Sequence, residues 1–389
     1  MEFLNKEFKM VAKTIYGLEE VLSAELLKLG AKNIEIHNRA VSFIGDIGFL
    51  YKANLCLRTA MKILVPFDSF QISNAEDLYS KIKRIKWEDF ISSNQSFAIN
   101  SVVSSDIFNH SNFPTLKAKD AIVDRFREID GNRPDVDTDD PDLRINLHIT
   151  GQEVIVSLDS SGDSLHKRGY RDKTNLAPIN EVLAAGLVLL SGWEYHQPLI
   201  DGMCGSGTIL IEAALHANNI PPGYYRNSYA FQKWKNYDET LWNLIYESTL
   251  NKIKDREVAI YGCEISRNVQ RKAVENVHLA KVEDVVDVKT ISFQEFDPPK
   301  RRGVVIMNPP YGERMDKEDD IIALYKSIGD TLKSKYDGYD AWVISSNINA
   351  LKHIGLRPSR KITVFNGPLE CKFMKFEMYR GTKKIHKLV

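Results

Sequence analysis

A chain of 389 residues is longer than one ordinary hydrophobic core organises, so two or three domains are expected. Hydrophobic residues at 43% and charged residues at 27% exclude a disordered or fibrous chain. A formal net charge of +0 excludes a protein that gathers nucleic acid through its overall field, so any nucleic acid must be held by local basic patches.

At the N-terminus, Glu2, Lys6, Glu7 and Lys9 interrupt the apolar residues. No apolar run reaches the roughly 18 residues of a membrane span, so neither a signal peptide nor a membrane helix is expected. The first segment then reads as a strand over 8–16, a helix over 18–29 stopped by Gly30, strands over 34–37 and 40–44, a helix over 47–55 and a strand over 61–67. The first helix rests on Leu18, Val21, Leu22, Leu26 and Leu29 at helical spacing. This order is that of a split βαβ, ferredoxin-like unit. A second α+β part follows, with helices over 75–85 and 115–128, a strand over 96–103 and a strand pair over 143–158 about Gly151. Its Asp135, Asp137, Asp139, Asp140 and Asp142 lack the glycine and terminal Glu of a calcium loop and read as a solvated turn. The four cysteines, Cys56, Cys204, Cys263 and Cys371, contain no CxxC pair. No disulfide framework and no metal site are therefore expected, and a reducing cytoplasm is the expected compartment.

From about residue 165 apolar strands alternate with helices, which implies a mostly parallel sheet. Strands are expected over 198–201, 258–263, 303–307 and 340–345, with helices over 208–218, 268–280 and 321–335. The first strand runs into Asp201-Gly202-Met203-Cys204-Gly205-Ser206-Gly207-Thr208, and backbone N–H groups at such a helix start can hold a carboxylate or a phosphate. A dinucleotide fingerprint read from Gly205 fails at Leu210, and a P-loop fails because Gly207 precedes Thr208 where lysine is needed. An acidic residue beside an N–H cradle suits a zwitterion, such as the amino-acid end of S-adenosylmethionine. Glu264 ends the second strand, placed to accept from ribose hydroxyls. Its separation from Asp201 exceeds the usual spacing of about 20 residues, and the excess, 220–257, reads as an insertion. Aromatic residues there can stack RNA bases, but a stripe such as Trp234, Tyr237 and Trp242 reads as local core.

The fourth feature is Val304-Val305-Ile306-Met307-Asn308-Pro309-Pro310-Tyr311, an apolar strand ending in a rigid polar turn. The exocyclic amine of a base is a poor nucleophile because its lone pair is delocalised into the ring. The Asn308 side-chain oxygen and the Pro309 carbonyl are acceptors for its hydrogens, Pro309 and Pro310 fix the backbone and remove N–H groups, and Tyr311 can stack on an extruded base.

With these motifs in hand, the sequence resembles the THUMP-domain RNA methyltransferases, and within them the bacterial large-subunit ribosomal RNA guanine-N2 methyltransferases of the RlmL type. The resemblance also rests on His166-Lys167-Arg168-Gly169-Tyr170-Arg171, on Ala177-Pro178-Ile179-Asn180-Glu181, on Ile209-Leu210-Ile211-Glu212-Ala213-Ala214 and on Gly312-Glu313-Arg314 after the tetrad. It implies an α/β Rossmann-like methyltransferase domain with a mostly parallel sheet over 163–389, preceded by an α+β ferredoxin-like unit over 1–64 and a THUMP domain over 65–162. By this likeness Asn180 and the glycine loop line the methionine end of S-adenosyl-L-methionine, Glu264 with Ile265 takes the ribose side, and Ser292 with Phe293 stands where many relatives place an adenine-binding Asp. RNA contacts are expected at Lys117, Lys119, Arg168 and Arg171, and at Lys383 and Lys384 of a basic tail that also holds His386 and Lys387. The expected product is a guanine methylated at N2 in 23S ribosomal RNA. Transfer-RNA guanosine N2, DNA adenine N6 and an RNA-binding module with a decayed catalytic half are the alternatives.

Overall fold

The computed structural model describes residues 2–171, 179–299, 302–311 and 318–379. They fall into two compact units. The first takes the chain up to Thr14, Leu22–Lys167 and Arg226–Thr249; the second takes Ile15–Val21, Arg168–Tyr225 and the chain from Leu250 onward.

In the first unit the described residues form one eight-stranded sheet. Its strands are β1 (Phe8–Lys13), β2 (Lys32–His37), β3 (Ala40–Gly45), β4 (Lys62–Gln71), β5 (Ser96–Ser104), β6 (Asp135–Val136), β7 (Leu143–Thr150) and β8 (Glu153–Asp159). They lie in the order β2-β3-β1-β4-β8-β7-β5-β6. The expected ferredoxin-like order is present through β4, with helices Glu19–Leu29 and Ile47–Cys56. Leu22 and Leu26 of the first helix are buried, and Gly30 ends it at φ +99, a conformation that glycine adopts without strain. Strand β4 serves both halves of the sheet, pairing with β1 at Lys62–Leu64 and with β8 through to Gln71. Its register slips between Pro66 and Asp68, where proline has no N–H to give the ladder. The acidic turn is held locally, for Asp137 accepts from the backbone N–H of Asp139 and Asp140 and Asp142 accepts from that of Ser96.

The aromatic insertion contributes to this unit's core. Phe231, Trp234 and Trp242 are buried there, and Phe231 stacks on Tyr51 with ring centroids 4.5 Å apart. The Trp242 ring meets Tyr51 edge-on at 6.0 Å.

The second unit contains β9 (Leu199–Asp201), β10 (Ile260–Glu264), β11 (Val286–Thr290), β12 (Val304–Met307), β13 (Asp340–Ser345), β14 (Arg360–Asn366) and β15 (Leu369–Glu377). Their order is β11-β10-β9-β12-β13-β15-β14. Strands β9 to β13 pair in parallel, while β15 is antiparallel to both β13 and β14. Helices Glu181–Ser191, Thr208–Ala217, Arg267–Leu279 and Glu318–Lys335 accompany them. The order reverses at β9, which has β10 on one side and β12 on the other. In an open parallel sheet such a reversal opens a crevice beyond the carboxyl ends of the strands, and ligands bind there.

Candidate active site

Both signature segments lie at that reversal. The loop after β9 turns through Gly205 at φ +54 and Gly207 at φ +81 before helix Thr208–Ala217 begins. A Cβ at Gly205 would meet nothing within 4 Å, so the loop backbone there is open to approach. A Cβ at Gly202 would strike Phe293 and the sulfur of Met307 at 2.6 and 2.7 Å. Gly202 therefore lets Phe293 and the residue before Asn308 close on the loop. The loop is tied to its neighbours by the Cys204 N–H, which donates to the Cys263 carbonyl at 3.0 Å, and by Asn276 Nδ2, which donates to the Ser206 carbonyl at 3.0 Å.

Asp201 is 1% exposed. Among the described residues its carboxylate accepts only the Met203 N–H, at 3.2 Å. Burial pushes its pKa up to about 7, against that hydrogen bond and with further help from the Glu264 charge. A buried acid with so little compensation is set for a cationic partner. Glu264 at the end of β10 orders the next turn by accepting from the Ser266 N–H at 2.8 Å, and Ile265 beside it is 76% exposed. Ser292 is spent largely on its own turn, donating to Glu295 at 2.7 Å and accepting from the Glu295 N–H at 3.2 Å. Phe293 is buried and stacks on Tyr336 at 4.8 Å. Burial pushes Cys263 up to about 12 and Cys204 well above the ordinary thiol range, so neither supplies a thiolate at neutral pH.

Asn308 follows the wholly buried β12. Its Oδ1 accepts from the Tyr311 hydroxyl at 2.8 Å, and Asn366 Nδ2 donates to the same Tyr311 oxygen at 2.9 Å. Tyr325, from helix Glu318–Lys335, places its hydroxyl 3.4 Å from the Pro310 carbonyl and 2.7 Å from Ser345 Oγ at the end of β13. Burial holds the Tyr325 phenol well above its ordinary range, so it remains a neutral donor. The turn that carries the tetrad is thus fixed from two sides.

The sequence profile of the RMKL-like methyltransferase domain family matches residues 168–375. The chain belongs to the RMKL-like methyltransferase family. Profiles of the THUMP domain and the RlmL ferredoxin-like domain match residues 73–159 and 9–64. The methyltransferase is similar to slr0064 of Synechocystis sp., described as an RNA methyltransferase, at 38% identity over 364 residues covering 93% of this chain and 95% of that one. It is similar also to the crystal structure of SMU.472, described as a methyltransferase complexed with SAH, at 29% identity and a TM-score of 0.87, covering 97% of this chain and 100% of that one. A protein of Listeria monocytogenes described as an N6-adenine-specific DNA methylase matches at 28% identity and a TM-score of 0.86, over 97% of this chain and 98% of that one.

The remaining site residues of the methyltransferase divide into three groups. Asn180 caps helix Glu181–Ser191, its Oδ1 accepting from the N–H of Val182 and Leu183 at 2.9 and 3.3 Å. Arg171 lies 3.3 Å from Glu181 and donates to Thr208 Oγ1, so it ties the residue after Asn180 to the end of the glycine loop. Arg168 is 2% exposed against Glu212 at 0%, 3.3 Å apart, with the Tyr170 hydroxyl 3.1 Å from the same carboxylate. The expected RNA contacts of Arg168 and Arg171 are corrected on this point: both guanidiniums face inward onto carboxylates, because a cation buried in a low-dielectric interior needs its counter-charge there. Lys117 and Lys119 line a surface groove with Tyr79, Arg127 and Arg133, Lys117 paired with Glu76 at 2.6 Å and Lys119 with Asp120 at 2.9 Å. Ala177, Pro178, Gly312, Glu313, Arg314, Lys383, Lys384, His386 and Lys387 lie outside the described residues. Among the described residues no cluster of acidic, His or Cys side chains could hold a metal ion, and no helix is long and apolar enough to cross a membrane.

Sequence reading missed Asn366, Tyr325 and Ser345. For Asn366 a signal existed: Gly367-Pro368 directly after it, between two strand-like runs, marks a two-residue turn with glycine at its first position.

Proposed function

We propose that this methyltransferase uses S-adenosyl-L-methionine to methylate the exocyclic N2 amine of a guanine in 23S ribosomal RNA. The observation that carries the reading is the placement of Asn308 at the carboxyl end of β12, beside the β9 loop and at the strand-order reversal. The residues fit the methyl donor. Asp201 supplies a buried carboxylate that lacks a cation, and the loop of Gly202, Cys204, Gly205, Ser206, Gly207 and Thr208, shaped by the Cys204 N–H on the Cys263 carbonyl and the Gly207 N–H on the Cys204 carbonyl, offers its remaining N–H groups to the donor's carboxylate. Asn180 would contribute its Nδ2, Glu264 would accept from ribose hydroxyls, and Ile265, Ser292 and Phe293 would hold the adenine side. When bound, the donor supplies an electrophilic methyl group on its sulfonium.

The chain's own residues prepare the nucleophile. Asn308 Oδ1 and the Pro309 carbonyl accept the two hydrogens of the target amine, which draws them out of conjugation and turns the nitrogen lone pair toward the methyl group. Pro310 keeps the turn rigid, and the Tyr311 ring stacks on the base. These acceptors gain strength as positive charge develops on nitrogen, so they favour the transition state over the ground state.

RNA is the substrate class on three supports: the THUMP match, the RlmL-type ferredoxin-like match and the description of the Synechocystis relative. Within residues 65–162 the groove of Lys117 and Lys119, with Arg127 and Arg133, is the phosphate-binding edge. Lys383 and Lys384 add a second basic element. Mass mapping of modified nucleosides in cells with and without the protein tests the reading. A loss of N2-methylguanosine at one position of 23S ribosomal RNA is expected. A loss confined to transfer RNA, or of N6-methyladenine from DNA, would replace the substrate assignment.

A further inference from the structure

Asn366, Tyr311 and Asn308 form a directed chain of hydrogen bonds. Asn366 Nδ2 donates to Tyr311 Oη, and Tyr311 Oη donates to Asn308 Oδ1. A phenol has one proton to give. With an N–H on its oxygen from Asn366, that proton is directed at Asn308, where only the oxygen end of the amide can receive it. The consequence is a fixed amide orientation. The two ends of the Asn308 side chain are nearly the same size but opposite in use, since Oδ1 accepts from an amine and Nδ2 repels it.

The place of Asn366 is itself rigid. It is the last residue of β14, paired with Leu369 of β15 across a two-residue loop in which Gly367 has φ +60, the backbone that the first position of a tight hairpin turn demands. Strand β15 is locked to β13 by pairing from Asp340–Glu377 to Ser345–Lys372 and by the Trp342–Phe373 stack at 4.5 Å. The antiparallel hairpin at the edge of the sheet therefore delivers a donor to the tetrad from a separate element.

We propose that Asn366 is a positioning residue for methyl transfer, orienting the Asn308 amide through the Tyr311 hydroxyl. The inference rests on the tetrad reading given above, and its test separates the two. Single-turnover methylation is measured with RNA from cells lacking the protein, at saturating RNA, for Asn366→Ala, Asn366→Asp, Asn366→Gln, Tyr311→Phe, Asn308→Ala and the double variant Asn366→Ala/Tyr311→Phe. Asn366→Ala should lower the rate roughly three- to tenfold, as loss of one oriented hydrogen bond does, with the RNA KM and the calorimetric affinity for S-adenosylhomocysteine unchanged. Asn366→Asp should be slower still, because a carboxylate only accepts and draws the Tyr311 proton away from Asn308. Asn366→Gln keeps a donor and should recover part of the rate. In the Tyr311→Phe background Asn366→Ala should cost nothing more, since the chain is already cut. A readout independent of activity is the Cζ resonance of labelled tyrosine that Tyr311→Phe removes, which should move in Asn366→Ala.

A wild-type rate for Asn366→Ala, a full further loss in the double variant or an unmoved Tyr311 resonance would each overturn the inference. If those results come with a slow Asn308→Ala, the tetrad reading survives. A wild-type rate for Asn308→Ala sinks both. Should Asn366→Ala fail to fold, equal rates for the Asp and Gln variants overturn the proposal.

Discussion

At the scale of single residues, Asp201 makes the sharpest quantitative demand. Its pKa in the folded chain is about 7 against an ordinary 3.8, so between those values the folded state binds more protons than the unfolded state. For an acid shifted upward, stability is lost as pH rises across that window, and the loss is complete above about 7. Asp201→Asn should therefore raise the melting temperature, by an amount that grows from pH 4 to 7 and levels off beyond. The same substitution should abolish binding of S-adenosylhomocysteine, because the carboxylate is the partner proposed for the ligand's ammonium. In the unaltered protein the affinity should fall roughly tenfold for each pH unit below that pKa, by simple protonation of the partner. A pH-independent calorimetric affinity between pH 6 and 8 would remove Asp201 from the cofactor site. Asn308 and Tyr311 make a different demand. Asn308→Ala should slow single-turnover transfer about a hundredfold, equivalent to about 3 kcal/mol, without changing cofactor affinity. Tyr311→Ala should also weaken productive RNA binding, by about 1–3 kcal/mol for a lost base stack. A near-normal single-turnover rate for Asn308→Ala would show that the tetrad acts only as a structural turn.

At the scale of elements, the loop between β9 and helix Thr208–Ala217 is the part whose backbone conformation is most exacting. Gly205→Val should cost about 1–2 kcal/mol for a side chain at positive φ, and it should abolish S-adenosylhomocysteine binding by standing over the N–H cradle. Retained binding would mean that the open space at Gly205 is not where the ligand lies. This loop was legible in sequence because its glycines follow a short apolar strand, and so were β10, β12 and β13, whose apolar runs have no other use. Other elements were hidden for physical reasons. Helix Glu181–Ser191 is buried on nearly every side, so it has no polar stripe from which helical periodicity is read. Strand β11 is an edge strand with one buried residue, Val286, and an edge needs little apolar sequence. The β14–β15 hairpin carried its Gly367-Pro368 turn, but its pairing with β13 is long-range and has no local trace. Tyr325 and Ser345 meet only because helix Glu318–Lys335 and β13 bring them together, and no spacing in the chain encodes that. The inward turn of Arg168 was likewise hidden, since Glu212, which neutralises it, lies 44 positions away.

At the scale of the whole molecule, the chain passes between its compact units after Thr14, Val21, Lys167, Tyr225 and Thr249, so neither unit is one continuous stretch. The insertion reads as aromatic core in sequence, but sequence does not show that the core it completes is that of Tyr51 and its neighbours. This decides how a catalytic fragment should be cut. Removing residues 1–160 alone would strip Phe231, Trp234 and Trp242 of the partners that bury them, and burying an aromatic side chain of this size is worth several kcal/mol. It would also remove Leu18, which is fully buried against Gly186 of helix Glu181–Ser191. We expect a fragment from residue 168 onward to aggregate when 226–249 is retained, and to remain monomeric when a glycine–serine linker of equal length replaces that segment. The linker fragment should bind S-adenosylhomocysteine with near-normal affinity, because Asp201, the glycine loop and Glu264 all lie in the second unit. It should melt lower than the full chain for want of Leu18, and it should lose transfer to long structured RNA along with the groove of Lys117 and Lys119. Sedimentation, calorimetry and a methylation assay on the same two fragments measure these outcomes. Normal activity of the linker fragment on structured RNA would show that the first unit does not present the substrate, and aggregation of both fragments alike would show that the aromatic segment is not what holds the chain together.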